Sequence, residues 1–286
     1  MRSGYITDYI DIAQVVLYGF WIFFAGLILH LRREDKREGY PLESDRTHRA
    51  PSTPVVGFPA PPPAKRWRMP HGEDDLYAPR KLESIRKIEG VVDNERPLLG
   101  YPLVPTGNPL RQAVGPASYV ARRNIPDLTL HGDPKIAPIS RLEGYKIAAG
   151  DPDPRGMPVV AADGLVAGVV EDLWVDRAEP RILYFQIALD EKAQNIRNEA
   201  FTTHRSENDS ERAVPDLSRH VLVPTGLAKV QARHARVKVA SILAADFAYV
   251  PMIASDRAIT RLEEDQIMSY FGGGHLFRGK HYAELR

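Results

Sequence analysis

The chain has 286 residues, with 38 Lys and Arg against 37 Asp and Glu, and no cysteine. A net charge of +1 leaves no global basic field to gather nucleic acid. Absence of cysteine excludes disulfides, thiolate zinc sites and cysteine nucleophiles, while the length suffices for one or two domains with a buried core.

Residues 12–31, IAQVVLYGFWIFFAGLILHL, carry no formal charge. At 1.5 Å per residue they reach roughly 30 Å, the thickness of a hydrocarbon core. A secretory signal would have a basic start, a shorter apolar core and a small-residue cleavage site. Here Asp8 and Asp11 precede the run and RREDKREGY follows it. A helix buried in a soluble core rarely stays apolar on every face for so long. The expectation is a single transmembrane helix. Arg2 is the only cation ahead of it, whereas Arg32, Arg33, Lys36 and Arg37 follow. This predicts that residues 1–11 lie outside and the long remainder in the cytoplasm. Tyr5, Tyr9 and Tyr18 suit the outer boundary. Gly19, Phe23, Gly26 and His30 share a helical face where a second helix can approach closely, although glycine is also ordinary in membrane helices.

Residues 32–96 read as a charged extension of the helix, stopped by Pro41, and a proline-rich arm. Within the arm, PSTPVVGFPAPPP (residues 51–63) is polyproline-like. It is either a plain linker or a strap laid on a partner, since Val55, Val56, Phe58 and Trp67 are wasteful in water. Residues 97–145 keep many apolar side chains between closely spaced Pro and Gly, so an extended segment ordered by contact is expected, without helices of normal length. From residue 146 the pattern turns to short β-branched runs: MPVVAADG, LVAGVVEDLWVD, RILYFQIAL, HVLVPTGLAKV, RVKVASI and FAYVPM. These predict a small antiparallel barrel or sandwich over 146–257, with Gly168 at a bulge or close approach. The polar stretch 190–218 reads as a long exposed loop. Residues 258–286 read as a short helix and tail, with Ile259, Leu262, Ile267 and Tyr270 at helical spacing and a stop at glycines 272–274.

Two segments carry titratable groups in suggestive order. DLTLHGDPK holds Asp127, His131 and Asp133. These can pass protons, or form an ordinary turn with a surface histidine; two ligands alone do not make a zinc site. VEDLWVDRAEPR holds Glu171, Asp172, Asp176 and Glu179 with Arg177 and Arg181. Acids this close raise one another's proton affinity if desolvated, or sit as solvated ion pairs at a strand end. FGGGHLF follows a helix rather than a strand, against a phosphate loop. No catalytic-triad, nucleotide-loop or metalloprotease pattern occurs.

Taken together, FWIFFAGLILHLRREDKREGYPLE, PTGNPL, VGPASYVARR, KIAPI, GMPVVAADG, VVEDLWVD and LEEDQIMSYFGGG resemble the H subunit of the purple-bacterial photosynthetic reaction centre, whose cytoplasmic domain holds a PRC-type barrel. The resemblance implies a non-enzymatic subunit of the inner, photosynthetic membrane with its N-terminus in the periplasm. It would cap the L and M subunits and help protons reach the secondary quinone. It implies no cofactor on this chain alone. Bacteriochlorophyll, bacteriopheophytin, quinones and non-haem iron would sit on L and M. Light-harvesting antenna, a cytochrome and membrane lipids would be further neighbours, and no nucleic acid. By position, the resemblance assigns proton transfer to His131, Asp133, Asp127, Asp176, Glu179 and Glu264, with no metal. Asp133 stands where the family often has a second histidine, and Leu183 where it often has an arginine. Arg181, two residues earlier on the same strand face, is the candidate replacement. A membrane-tethered PRC-barrel adaptor outside photosynthesis is the competing reading. It explains anchor, arm and barrel equally well, but not the joint occurrence of these blocks.

Overall fold

The computed structural model of the protein describes residues 6–7, 10–38, 59–60, 62–78, 90–92, 103–202 and 220–276. The chain forms two compact units, Met1–Arg86 and Lys87–Arg286. The expected boundary aromatics Tyr5 and Tyr9, most of the proline-rich arm and the later part of the 190–218 stretch lie outside the described residues.

In the first unit, α1 (Ile12–Asp35) is long and apolar enough to cross a membrane. Asp11 caps it, accepting the Gln14 N–H at 2.6 Å. None of its side chains is buried within the chain. A Cβ placed on Gly19 or Gly26 would meet nothing within 4 Å, so the glycine face is open to another helix. Phe20 and Phe24 stack one turn apart, with ring centroids 5.8 Å apart. The charged end is tied down at Glu34, which pairs with Arg37 at 2.8 Å and Lys65 at 2.9 Å. Lys36 and Arg37 donate to the carbonyls of Pro59 and Pro63, anchoring the described end of the arm to the helix. A small hairpin follows, β1 (Lys65–Trp67) with β2 (Leu76–Ala78). Trp67 on it is half exposed.

The second unit starts with the ribbon β3 (Gly90–Val92) and β4 (Leu103–Pro105). Asn108 then caps a one-turn helix, α2 (Pro109–Gln112), with Pro at its first position, where the missing N–H costs nothing. Leu110 enters the core. The guanidinium of Arg111 covers the Tyr249 ring at 3.3 Å. The main sheet comprises β5 (Ile136–Pro138), β6 (Pro158–Val160), β7 (Val166–Asp176), β8 (Arg181–Leu189), β9 (His220–Pro224), β10 (Ala228–Gln231) and β11 (Arg236–Val239). Its path runs β10-β11-β6-β7-β8-β9, with β5 on the far end of β7. The expected antiparallel pairing holds except at β11–β6, which is parallel. That pair joins strands far apart in sequence, so no hairpin turn dictates its direction.

β7 is the spine. Val159 opposes Gly168, and the register shifts beside it. A Cβ on Gly168 would lie 2.2 Å from the Ala188 carbonyl oxygen, which is the close approach expected there. Further shifts lie between Val170 and Asp172 and between Trp174 and Val175. From Leu173 onward the strand is covered on both faces: Leu173, Trp174, Val175 and Asp176 are all buried. β5 supplies part of that cover, pairing Ile136 with Asp176 and Pro138 with Trp174.

Two expectations are corrected. The polar stretch after β8 is not loop throughout; it begins as α3 (Glu191–Thr202). Asp190 accepts the Ala193 N–H at 2.9 Å as an N-cap, and Ala193 and Arg197, one turn apart, are buried. Arg197 donates to the carbonyls of Ala248 (3.1 Å) and Val250 (2.8 Å). The buried inner face is thus carried by an alanine and an arginine, which hydropathy alone does not flag. Secondly, glycines 272–274 do not stop the last helix, which runs through them as α4 (Arg261–Leu276). A Cβ on Gly273 would lie 2.6 Å from the Ala117 Cβ, and one on Gly274 2.5 Å from the Ser241 carbonyl oxygen. Helix and loops therefore touch backbone to backbone. At its start Thr260 and Glu263 cap each other, the Thr260 N–H reaching Glu263 Oε2 at 2.8 Å and the Glu263 N–H reaching Thr260 Oγ1 at 3.2 Å, a reciprocal capping box. Ile267, Tyr270 and Phe271 fill the core, and Phe271 meets Phe247 edge to face at 6.0 Å.

Candidate proton-transfer site

The titratable residues singled out in the sequence divide into four places. His131 sits exposed on a tight turn closed by the Thr129 N–H to the Asp133 carbonyl (2.8 Å) and the Gly132 N–H to Thr129 (3.0 Å). The Asp133 carboxylate pairs with Arg177 at 3.2 Å, not with His131. Arg177 also donates to the Pro134 carbonyl at 3.2 Å, so the turn is clamped to the β7–β8 connection.

Behind that turn lies the second group. The loop returns on itself where the Lys135 N–H meets the Asp127 carbonyl at 2.8 Å. Asp127 pairs with Arg261 of α4 at 2.7 Å. The Lys135 ammonium reaches Asp176 Oδ2 at 3.4 Å. Asp176 is 1% exposed, yet well supplied: its other oxygen accepts the Ala178 and Glu179 N–H groups at 2.8 and 3.1 Å. These partners satisfy the hydrogen-bonding capacity of a carboxyl that water does not reach. Glu264, one turn after Arg261, accepts the Tyr184 hydroxyl at 3.3 Å. Burial raises the pKa of the Glu264 carboxyl, and the charge of Asp127 adds to this. The Tyr184 hydrogen bond, the largest opposing influence, and the cations Lys135 and Arg122 pull it back. The Tyr184 hydroxyl is in turn raised by its own burial and by Glu264. Asp127, Lys135, Asp176, Tyr184 and Glu264 thus form one electrostatic cluster, bringing together Asp127, Asp176 and Glu264 as selected from the sequence.

Glu179 lies apart. It is on the surface, paired with Arg181 at 3.5 Å, both side chains well exposed. Arg181 is the register partner of Asp176, but the cation on Asp176 is Lys135. Sequence reasoning passed over Lys135, Tyr184 and Arg261. Each reaches the cluster across a long sequence separation, and no local spacing announces it.

The acids of the VEDLWVDRAEPR segment are also split. Glu171 and Asp172 border a cleft of about 670 Å³ with Ser140, Arg155, Gln186 and His220. There Glu171 Oε2 takes His220 Nε2 at 2.5 Å and the Gln186 amide at 3.0 Å, and Asp172 takes the Ser140 hydroxyl at 2.5 Å. Among the described residues no three His, Asp or Glu side chains form a metal-binding group. Chemically, the cluster offers a carboxyl of raised proton affinity beside a hydroxyl and a cation-held carboxylate. Such a set can take up and hand on protons.

A helix long and apolar enough to cross a membrane precedes this mixed β-sheet. Residues 148–243 match the PRC-barrel domain. Residues 4–141 match the photosynthetic reaction centre H-chain N-terminal region, and with both matches in this order the chain belongs to the reaction-centre H-chain family, a non-catalytic subunit. The photosynthetic membrane is its setting and the reaction-centre complex its assembly.

Proposed function

We propose that this chain caps the L and M subunits of its complex on the cytoplasmic side and delivers protons toward the secondary quinone. Its N-terminus would face the periplasm, as the cations at the end of α1 favour. Bacteriochlorophyll, bacteriopheophytin, quinones and non-haem iron would be held by L and M, with antenna and cytochrome as outer neighbours. The open glycine face of α1 suits packing against the helices of those subunits.

The observation that carries the proton role is Glu264, a half-buried carboxyl of raised proton affinity in the same cluster as buried Asp176. A relay needs groups within hydrogen-bond reach, directly or through one water, with proton affinities near the working pH. His131 and Asp133 form the exposed mouth, Asp127 and Glu264 the middle, and Asp176 the inner group. Glu179 and Arg181 lie on this chain's own surface and would act at its boundary with a neighbouring subunit. The test is the double variant Asp176→Asn with Glu264→Gln in the assembled complex, read by flash spectroscopy of the second electron transfer. Slower transfer, with the deficit growing as pH rises, is expected. An unchanged rate and pH profile would remove the cluster from the route.

A further inference from the structure

The hairpin of β10 and β11 has an exposed side that is strongly basic. Lys229 and Lys238 stand directly opposite each other across the antiparallel pair, and both are exposed. Like charges in that position repel and weaken a sheet, so folding alone gives no reason to keep them. Arg233 and His234 are exposed at the tip. Residues 220–245 hold no Asp or Glu, and among the described residues none of these four cations has an acidic partner. The remaining cation, Arg236, donates to Gln231 at 2.6 Å.

The register carries this face onward. Lys238 pairs with Val160, and Val160 with Val166, so the lysines share a side with the β6–β7 turn. There Leu165 is 62% exposed, Val166 49% and Val169 42%. The turn's one acid, Asp163, is occupied by the N–H groups of Leu165 (3.1 Å) and Ala244 (3.2 Å). Unpaired lysines on long apolar stems beside bare aliphatic side chains fit a surface of anionic headgroups over an acyl boundary. An acidic protein surface would account for the cations but not for the solvent-facing Leu and Val next to them. The same chain carries a membrane-span helix, which keeps a bilayer at high effective concentration, so even a weak contact is populated.

We propose that the β10–β11 hairpin and the β6–β7 turn together form a contact surface for anionic phospholipid headgroups. This surface needs the membrane anchor but not the proton route, so either can fail without the other. The chain has no cysteine, so Leu165→Cys gives a single labelling site. The full-length labelled chain is placed in nanodiscs of phosphatidylcholine, with or without phosphatidylglycerol, and its fluorophore is quenched with neutral acrylamide. Protection in phosphatidylglycerol discs, lost at high salt, is expected. Lys229→Gln with Lys238→Gln should lower the protected-to-accessible ratio by about fivefold per lysine. Equal quenching in both lipids would overturn the proposal. So would protection that appears only on adding the partner subunits, whatever the lipid charge, since the occupant would then be a protein.

Discussion

The three consecutive glycines of α4 make a comparison in which one term cancels. Each Gly→Ala exchange in a helix interior gains about 1 kcal/mol of helix propensity. At Gly272 nothing lies within 4 Å of the added methyl, so that gain should appear in full. At Gly273 the methyl would fall 2.6 Å from the Ala117 Cβ and 2.8 Å from its Cα, and at Gly274 2.4 Å from the Ile242 Cγ2 and 2.5 Å from the Ser241 carbonyl. Those neighbours are backbone or rooted in it, so relief requires moving α4 away from the loops. Overpacking of that kind costs about 1–3 kcal/mol. Because propensity is common to all three, Gly273→Ala and Gly274→Ala should each be less stable than Gly272→Ala by about 1–3 kcal/mol. For a domain near this size that is about 2–4 °C in Tm per kcal/mol. Circular-dichroism melts of the purified chain and its three variants in one detergent measure it. Equal shifts for all three would refute backbone contact as the reason for glycine here.

Other expectations follow from the same geometry. The folded Glu264 carboxyl ionises at a higher pH than the unfolded one. Stability relative to Glu264→Gln should therefore be greatest in acid, fall as pH rises between the two ionisations, and then level off; urea titrations across pH measure this, and a constant difference would count against it. Tyr184→Phe removes the hydrogen bond that favours the charged form, so the Glu264 carboxyl band in infrared titration should move to still higher pH. Arg197 is fully buried, its pKa pushed down to about 10 by burial yet still charged at neutral pH. Arg197→Met would leave the Ala248 and Val250 carbonyls short of a donor and cost about 2–4 kcal/mol in chemical denaturation, with a near-neutral result arguing against its anchoring role. Glu263→Ala should cost about 1–2 kcal/mol by opening the capping box and freeing the Ala254 N–H, held at 2.6 Å, while Glu263→Gln should recover part of this.

What could be read from sequence was what depends on local pattern. The span of α1 is written in the uninterrupted apolar run, and Gly168 stood out because a glycine inside a β-branched strand has few other uses. The ends of β7 and β8 followed from β-branched runs and turn residues. α3 stayed hidden because the side of it that faces the protein is built from alanine and an arginine. The run of glycines looked like a helix end because its reason lies in Ala117 and Ser241, which stand far earlier in the chain. The site divided in the same way. Asp127 and Asp176 stood out in local runs of titratable residues and Glu264 only through the family resemblance, whereas Lys135, Tyr184 and Arg261 join them through the pairing of β5 with β7 and the docking of α4.

That pairing of β5 with β7 has a consequence for how such chains evolve. The barrel match begins at residue 148 and the preceding match ends at residue 141, so the seam between the two recognisable pieces falls between β5 and the strand it covers. The buried stretch from Leu173 to Asp176 is shielded by residues belonging to the other piece. A barrel passed on alone would carry a bare flank into its new context, and would survive only where a fresh neighbour, a second copy or a recruited segment clothed it. β5 lies with the barrel in the compact unit Lys87–Arg286 although it falls within the 4–141 match, so the structural domain begins well ahead of the recognisable barrel.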